Sequence, residues 1–143
     1  MTDEFAFDTT IIVYAYDKAE EEKRAKCLSL LERIFDGESN GVVTNQILAE
    51  TYYVLTQKVS NPISAEDARI IVSGIVNSNN WIKLDYNSMS VAKATKISSD
   101  LKIPFWDALI AITLIENGVF RIYTENEKDF QKIPGLKVIN PIK

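Results

Sequence analysis

The chain contains no histidine and a single cysteine, Cys27. These absences remove every zinc centre built from cysteine and histidine, every internal disulfide, and the Ser-His-Asp and Cys-His classes of nucleophilic enzyme. The commonest general base is missing as well, so acid–base work falls to carboxylates. A metal held by side chains must sit mainly on oxygen, which selects magnesium, manganese or calcium. No apolar run approaches the roughly 20 residues that span a bilayer, and Met1-Thr2-Asp3-Glu4 lacks the basic start of a secretory signal, so no membrane segment and a cytoplasmic location are expected. Basic residues are the minority, 16 Lys and Arg against 20 Asp and Glu, for a formal net charge of −4. That balance argues against a broadly basic nucleic-acid surface but permits a local one, because a divalent ion on a carboxylate cluster inverts the sign of the field around it.

What is present is a globular composition, 46% hydrophobic and 25% charged over 143 residues. This is long enough for one domain with a proper core and short for two, so a single domain over 1–143 is expected. Phe5-Ala6-Phe7 is a short apolar run that ends on Asp8. Thr9 and Thr10 turn the chain and an aromatic-aliphatic segment follows, the pattern of a buried strand delivering a carboxylate to the end of a sheet. Residues 18–35 read as a helix from the stripe Cys27, Leu28, Leu31, Ile34 and Phe35, with Glu20 to Arg24 outside it. Cys27 lies on that stripe and is expected in the core.

Further strands are read at 41–44, 81–84, 120–124 and 136–139. Helices are read from 45 to about 58, around Ala68, Ile71, Val72, Ile75 and Val76, and at 87–101 on Val91, Ala92, Ala94, Ile97 and Leu101. A last helix begins at 106 and is apolar nearly all round to 115, which marks it as the most buried. Residues 125–130 read as a polar loop. No two strands are close enough for a two-residue hairpin, and strands alternating with helices point to a three-layer α/β/α sandwich with a mostly parallel central sheet.

In open parallel sheets, ligands bind outside the carboxyl ends of the strands. On that rule Asp8 ends the first strand, Glu50 follows the second on the border of a helix's apolar face, and Asp107 opens the buried helix. Thr124 ends the fourth strand, with Asn126 and Asp129 in the loop beyond. Two carboxylates about 4 Å apart repel by roughly 4 kcal/mol at an effective dielectric near 20. A fold stable by about 5–15 kcal/mol does not hold several such pairs empty and ionised. Protons or a divalent cation must neutralise them, and oxygen ligands with open positions suit Mg²⁺ or Mn²⁺, which activate water and assist displacement at phosphorus. Each residue also has a plainer role: Asp8 as a helix cap, Asp107 as a first-turn acid, Glu50 reaching to solvent, Asp129 as a loop acid. Asp3, Asp17, Asp36, Asp67 and Asp85 look like surface, capping or turn residues.

The order of Asp8-Thr9-Thr10-Ile11-Ile12-Val13-Tyr14-Ala15, Leu48-Ala49-Glu50, Trp106-Asp107-Ala108-Leu109-Ile110-Ala111, Tyr123-Thr124-Glu125-Asn126-Glu127-Lys128-Asp129-Phe130 and Val138-Ile139-Asn140-Pro141 resembles a PIN domain. It is most similar to the small stand-alone VapC-like toxins of bacteria and archaea, and the resemblance covers essentially the whole chain. It implies a metal-dependent ribonuclease in which Asp8, Glu50 and Asp107 hold Mg²⁺ or Mn²⁺. Family members often carry an acid at the place of Asn126, and others share the Thr-x-Asn-x-x-Asp-Phe form found here. Asn126 and Asp129 therefore both stand as candidates for the fourth position. Thr124 matches a common hydroxyl position that orients water or phosphate. The resemblance also implies an RNA substrate, a homodimer, and a small antitoxin protein that inserts a segment into the site.

Rival magnesium folds fit less well. Haloacid-dehalogenase-type phosphatases want a second aspartate where Thr10 stands, and response-regulator receivers want an acidic pair and a late lysine that are not evident. The alternative kept open is a PIN-like scaffold without catalysis that binds RNA or protein, for which Asn126 in an acidic position is the argument.

Overall fold

A computed structural model describes residues 4–143. Residues 1–3, and with them the expectation for Asp3, lie outside the described residues. The elements run β1 (Phe5–Phe7), α1 (Thr9–Ala15), α2 (Glu21–Phe35), β2 (Gly41–Thr44), α3 (Asn45–Gln57), α4 (Ala65–Val76), β3 (Trp81–Leu84), α5 (Ser88–Leu101), α6 (Phe105–Glu116), β4 (Arg121–Tyr123), α7 (Glu127–Phe130) and β5 (Lys137–Ile139). The five strands form one sheet in the order β3-β2-β1-β4-β5, and every pairing is parallel. This is the expected three-layer α/β/α sandwich.

The strand order explains the layers. The connections from β1 to β2 and from β2 to β3 step one way along the sheet, whereas the connection from β3 to β4 crosses back over β2 and β1. Right-handed crossovers that step in opposite directions lie on opposite faces. Accordingly α1 packs on α2 and α3, and α3 on α4, while α5 packs on α6. The reversal falls between β1 and β4, so the carboxyl ends of those two strands frame the crevice where such sheets bind ligands.

Local chemistry sets the elements. Asp8 caps α1, Thr44 caps α3, Ser64 caps α4, and Asn87 forms a reciprocal capping box with Ser90 on α5. Every residue of α6 from 108 to 114 is buried, in keeping with its all-round apolar sequence. Cys27 is fully buried on α2, and burial pushes its thiol up to about 11, so it is a core group. On the α2 face of the sheet, Phe5 stacks on Tyr123 with centroids 4.3 Å apart and Phe7 meets Trp81 edge-on at 5.0 Å. Gly41 leaves room for that indole: a β-carbon there would lie 2.6 Å from the Trp81 ring.

Several local expectations shift. Residues 9–15 form a helix, because the Asp8 cap and the burial of Thr9, Ile11, Ile12, Val13 and Ala15 override the weak helix preference of a β-branched run. Helix α2 begins at Glu21, α6 at Phe105, and β4 ends at Tyr123, one residue short of Thr124. Residues 127–130, expected as loop, form the short helix α7, capped by Asn126. Val76 and Ala92, expected on inner faces, are exposed.

Candidate active site

Asp8 is fixed from three directions. Its N–H donates to the Tyr123 carbonyl at 3.0 Å, tying it to β4. Its Oδ1 accepts the Thr9 N–H at 2.9 Å, and its Oδ2 accepts the Thr124 hydroxyl at 2.7 Å. Thr124, itself fully buried, accepts the Asn126 N–H at 2.9 Å, so the strand end, the hydroxyl and the following turn form one unit. The capping role of Asp8 uses only one of its oxygens, and the other is held by Thr124 at the end of β4.

Glu50 reaches the same place from α3. Its Oε1 accepts the Thr9 hydroxyl at 2.8 Å, one residue from Asp8, so it does not simply reach to solvent. Its Oε2 accepts from Gln46 Nε2 at 3.2 Å, and the same amide nitrogen donates to the Trp106 carbonyl at 3.1 Å. Gln46 thus braces Glu50 against the start of α6.

Asp107 lies in the first turn of α6, where Pro104 offers no side-chain cap and the helix dipole favours a negative group. Its Oδ2 accepts from Asn126 Nδ2 at 2.9 Å. The same nitrogen donates to Asp129 Oδ2 at 3.0 Å, and Asn126 Oδ1 accepts the Asp129 N–H at 3.4 Å. Asn126 and Asp129 accordingly both belong to the cluster. The amide sits between two carboxylates as a double donor, where a third acid would add repulsion.

The electrostatics match this gathering. Burial pushes Asp8 up to about 6 against the lowering effect of the Thr124 and Thr9 hydrogen bonds, and Glu50 repels it further. Asp107 is also raised to about 6, by burial first and then by repulsion from Asp8, Asp129 and Glu50, with the Asn126 hydrogen bond opposing. The other three predicted acids, Asp8, Glu50 and Asp129, are thus within electrostatic reach of Asp107.

Among the described residues, no group of three or more Asp, Glu or Cys side chains stands as a formed metal cage. The donor set nonetheless fits a hard divalent cation. It offers only oxygen, each carboxylate oxygen keeps a second lone pair beside the hydrogen bond it accepts, and the raised acids ionise together most readily against a positive charge.

Sequence reasoning missed Gln46, whose signal was its place one helical turn before Glu50. It also read Thr9 only as a turn residue. A further contact escaped it altogether: Tyr14 donates to Glu125 Oε1 at 2.8 Å and Lys23 lies 3.5 Å from Glu125 Oε2, which sets a cation beside the turn that carries Asn126. Nothing in the linear pattern links those three residues.

No curated protein matches the chain by sequence. Among solved structures, VapC20 of Mycobacterium tuberculosis, described as a sarcin-ricin loop cleaving toxin, superposes with a TM-score of 0.71 at 14% identity, covering 94% of this chain and 98% of that one. VapBC2 of Rickettsia felis, solved on a DNA fragment from its promoter, gives 0.67 at 20% identity over 96% and 98% of the two chains. VapBC-1 of nontypeable Haemophilus influenzae gives 0.63 at 20% identity over 98% and 99%. The PIN domain family model matches residues 5–136, and the chain therefore belongs to the PIN domain family.

Proposed function

We propose that this chain is a metal-dependent endoribonuclease that hydrolyses RNA phosphodiester bonds, acting as one domain and as the toxin of a toxin–antitoxin pair. The observation that carries the reading is the gathering of Asp8, Glu50, Asp107 and Asp129 with Asn126 at the β1/β4 crevice, in a PIN fold and without a histidine anywhere in the chain. Asp8, Asp107, Glu50 and Asp129 would hold Mg²⁺ or Mn²⁺, which supplies activation of a water and polarisation of the phosphodiester.

The chain's own groups have distinct tasks. Thr124 and the Thr9 N–H orient both oxygens of Asp8, so its carboxylate enters the site without a search over rotamers. Glu50, held at both oxygens by Thr9 and Gln46, would serve as a further ligand or as the base that takes a proton from the attacking water. Asn126 fixes Asp107 and Asp129 relative to one another through one nitrogen. Solved relatives described as VapBC or toxin–antitoxin complexes support an antitoxin partner here. A homodimer and a cytoplasmic location complete the reading. Among the described residues, no helix is long and apolar enough to cross a membrane.

The test is cleavage of a mixed RNA pool by wild type, Asp8→Asn and Asp107→Asn with and without Mn²⁺. Metal-dependent cleavage by wild type, reduced at least about 100-fold in each variant, is expected. Equal cleavage by all three proteins would sink the site assignment, and metal binding with no cleavage by wild type would favour the scaffold reading.

A further inference from the structure

Glu50 also borders a cleft of about 400 Å³, lined in addition by Asn45, Gln46, Asp85, Tyr86 and Trp106. We propose that this cleft receives one unpaired nucleobase of the RNA, stacked on Trp106 and Tyr86, and so selects the nucleotide flanking the scissile phosphodiester. The proposal rests on the ribonuclease reading and adds to it where the base goes.

The chemistry of the lining favours a base over other occupants. Trp106 is 57% exposed and Tyr86 38% exposed, so two large rings line a mostly apolar cleft edged by amides and carboxylates. The Trp106 backbone is pinned by Gln46 at its carbonyl, and its ring meets Phe105 edge-on at 5.2 Å. Asp85 Oδ1 accepts the Tyr86 N–H at 2.9 Å, which anchors the loop carrying the second ring. Among the described residues the lining holds no Lys or Arg, so it offers a phosphate no counter-charge. Aromatic faces beside amides and carboxylates suit a neutral planar group with amino hydrogens, such as adenine, cytosine or guanine. Glu50 belongs to both cleft and acidic cluster, so a nucleotide with its phosphate at the acids carries its base toward this opening.

The two tryptophans make the test direct, because Trp81 is 2% exposed and only Trp106 can report on a ligand in the cleft. Short single-stranded oligoribonucleotides rich in A, C, G or U are titrated into the protein in chelator. Trp106 emission is followed, the affinity of labelled oligonucleotide is measured in parallel by anisotropy, and cleavage of the same strands is assayed separately with Mn²⁺ in place of the chelator. Saturable quenching is expected, weakest with the U-rich strand. Trp106→Ala should bind roughly 5- to 100-fold more weakly, the size of one base–aromatic stack, while Trp106→Phe keeps a stacking face and most of the affinity. RNA that is bound and cleaved without quenching, and with unchanged affinity in Trp106→Ala, would overturn the base pocket and leave the ribonuclease reading standing. RNA neither bound nor cleaved by wild type would overturn that reading and the pocket with it. Quenching by a short arginine-containing peptide, with no response to any oligonucleotide, would assign the cleft to a protein side chain and overturn the proposal.

Discussion

The two ends of the sheet are built on opposite principles. At the amino end of β2 and β3, Gly41 lies under Trp81, and the indole packs against Phe7 and Phe35. Aromatic and aliphatic surfaces dominate there, so burial stabilises the fold, although the buried Trp81 Nε1 finds no hydrogen-bond partner. At the carboxyl end of β1 and β4, Asp8 and Glu50 each accept two hydrogen bonds, Asp107 and Asp129 share the Asn126 amide, and two of the four acids are raised to about 6. One end is held by apolar burial, whereas the other gathers like charges that protons or a cation relieve.

The largest expected departure comes from relieving the conflict at Asp8. Between pH 4 and 6 folded Asp8, raised from 3.8 to about 6, keeps a proton that the unfolded chain has released. The metal-free protein therefore loses stability as pH rises through that window, by roughly 3 kcal/mol from this group. Asp8→Asn can still cap α1 and meet Thr124, and it should remove that pH dependence. Thermal melts in chelator at pH 4.5 and pH 7 are the measurement. The melting temperature of the variant should exceed that of wild type at pH 7 and lose the advantage at pH 4.5, and a variant less stable at pH 7 would contradict the conflict.

At the other end, Gly41→Ala should cost about 1–3 kcal/mol in urea unfolding by forcing the Trp81 ring to move. Cleavage per folded molecule should be unchanged. A loss of activity at constant stability would show that the two ends are coupled.

How much of this contrast was legible in the sequence follows from what each part rests on. Periodicity marks α2, α3 and α6 in the sequence, and the rule that strand ends carry ligands draws Asp8, Glu50, Asp107 and the Thr124 turn together. Helix α1 was hidden because Thr-Thr-Ile-Ile-Val is a poor helix former, whose conformation is set by a cap and by burial against α2 and α3. Helix α7 was hidden because it is a four-residue turn held by Asn126. Gln46 and the Tyr14–Glu125–Lys23 contact join residues whose relation depends on how the elements pack. The choice between Asn126 and Asp129 had no answer in one dimension, because the amide's task is to bridge Asp107 and Asp129.

Asn126→Asp sharpens the comparison from the acidic side. A further carboxylate between Asp107 and Asp129 should lower metal-free stability at pH 7 by about 1–2 kcal/mol, and Mn²⁺ should restore it in a thermal melt. An unchanged metal-free melt would mean that the acids are too well solvated to repel. The smallest effect is expected away from both ends. Lys102 caps α5 in the left-handed region at φ 56°, so Lys102→Gly should add about 0.5–1 kcal/mol in urea unfolding and leave metal binding alone.

The most direct measurement is a calorimetric titration of Mn²⁺ into the protein at pH 7, for wild type, Asp8→Asn and Asp107→Asn. Saturable binding by wild type, with proton release and with affinity weakened at least about tenfold in each variant, is the expected result. Equal Mn²⁺ affinity in all three proteins, or no binding by wild type, would contradict a cation site at the carboxyl end of the sheet.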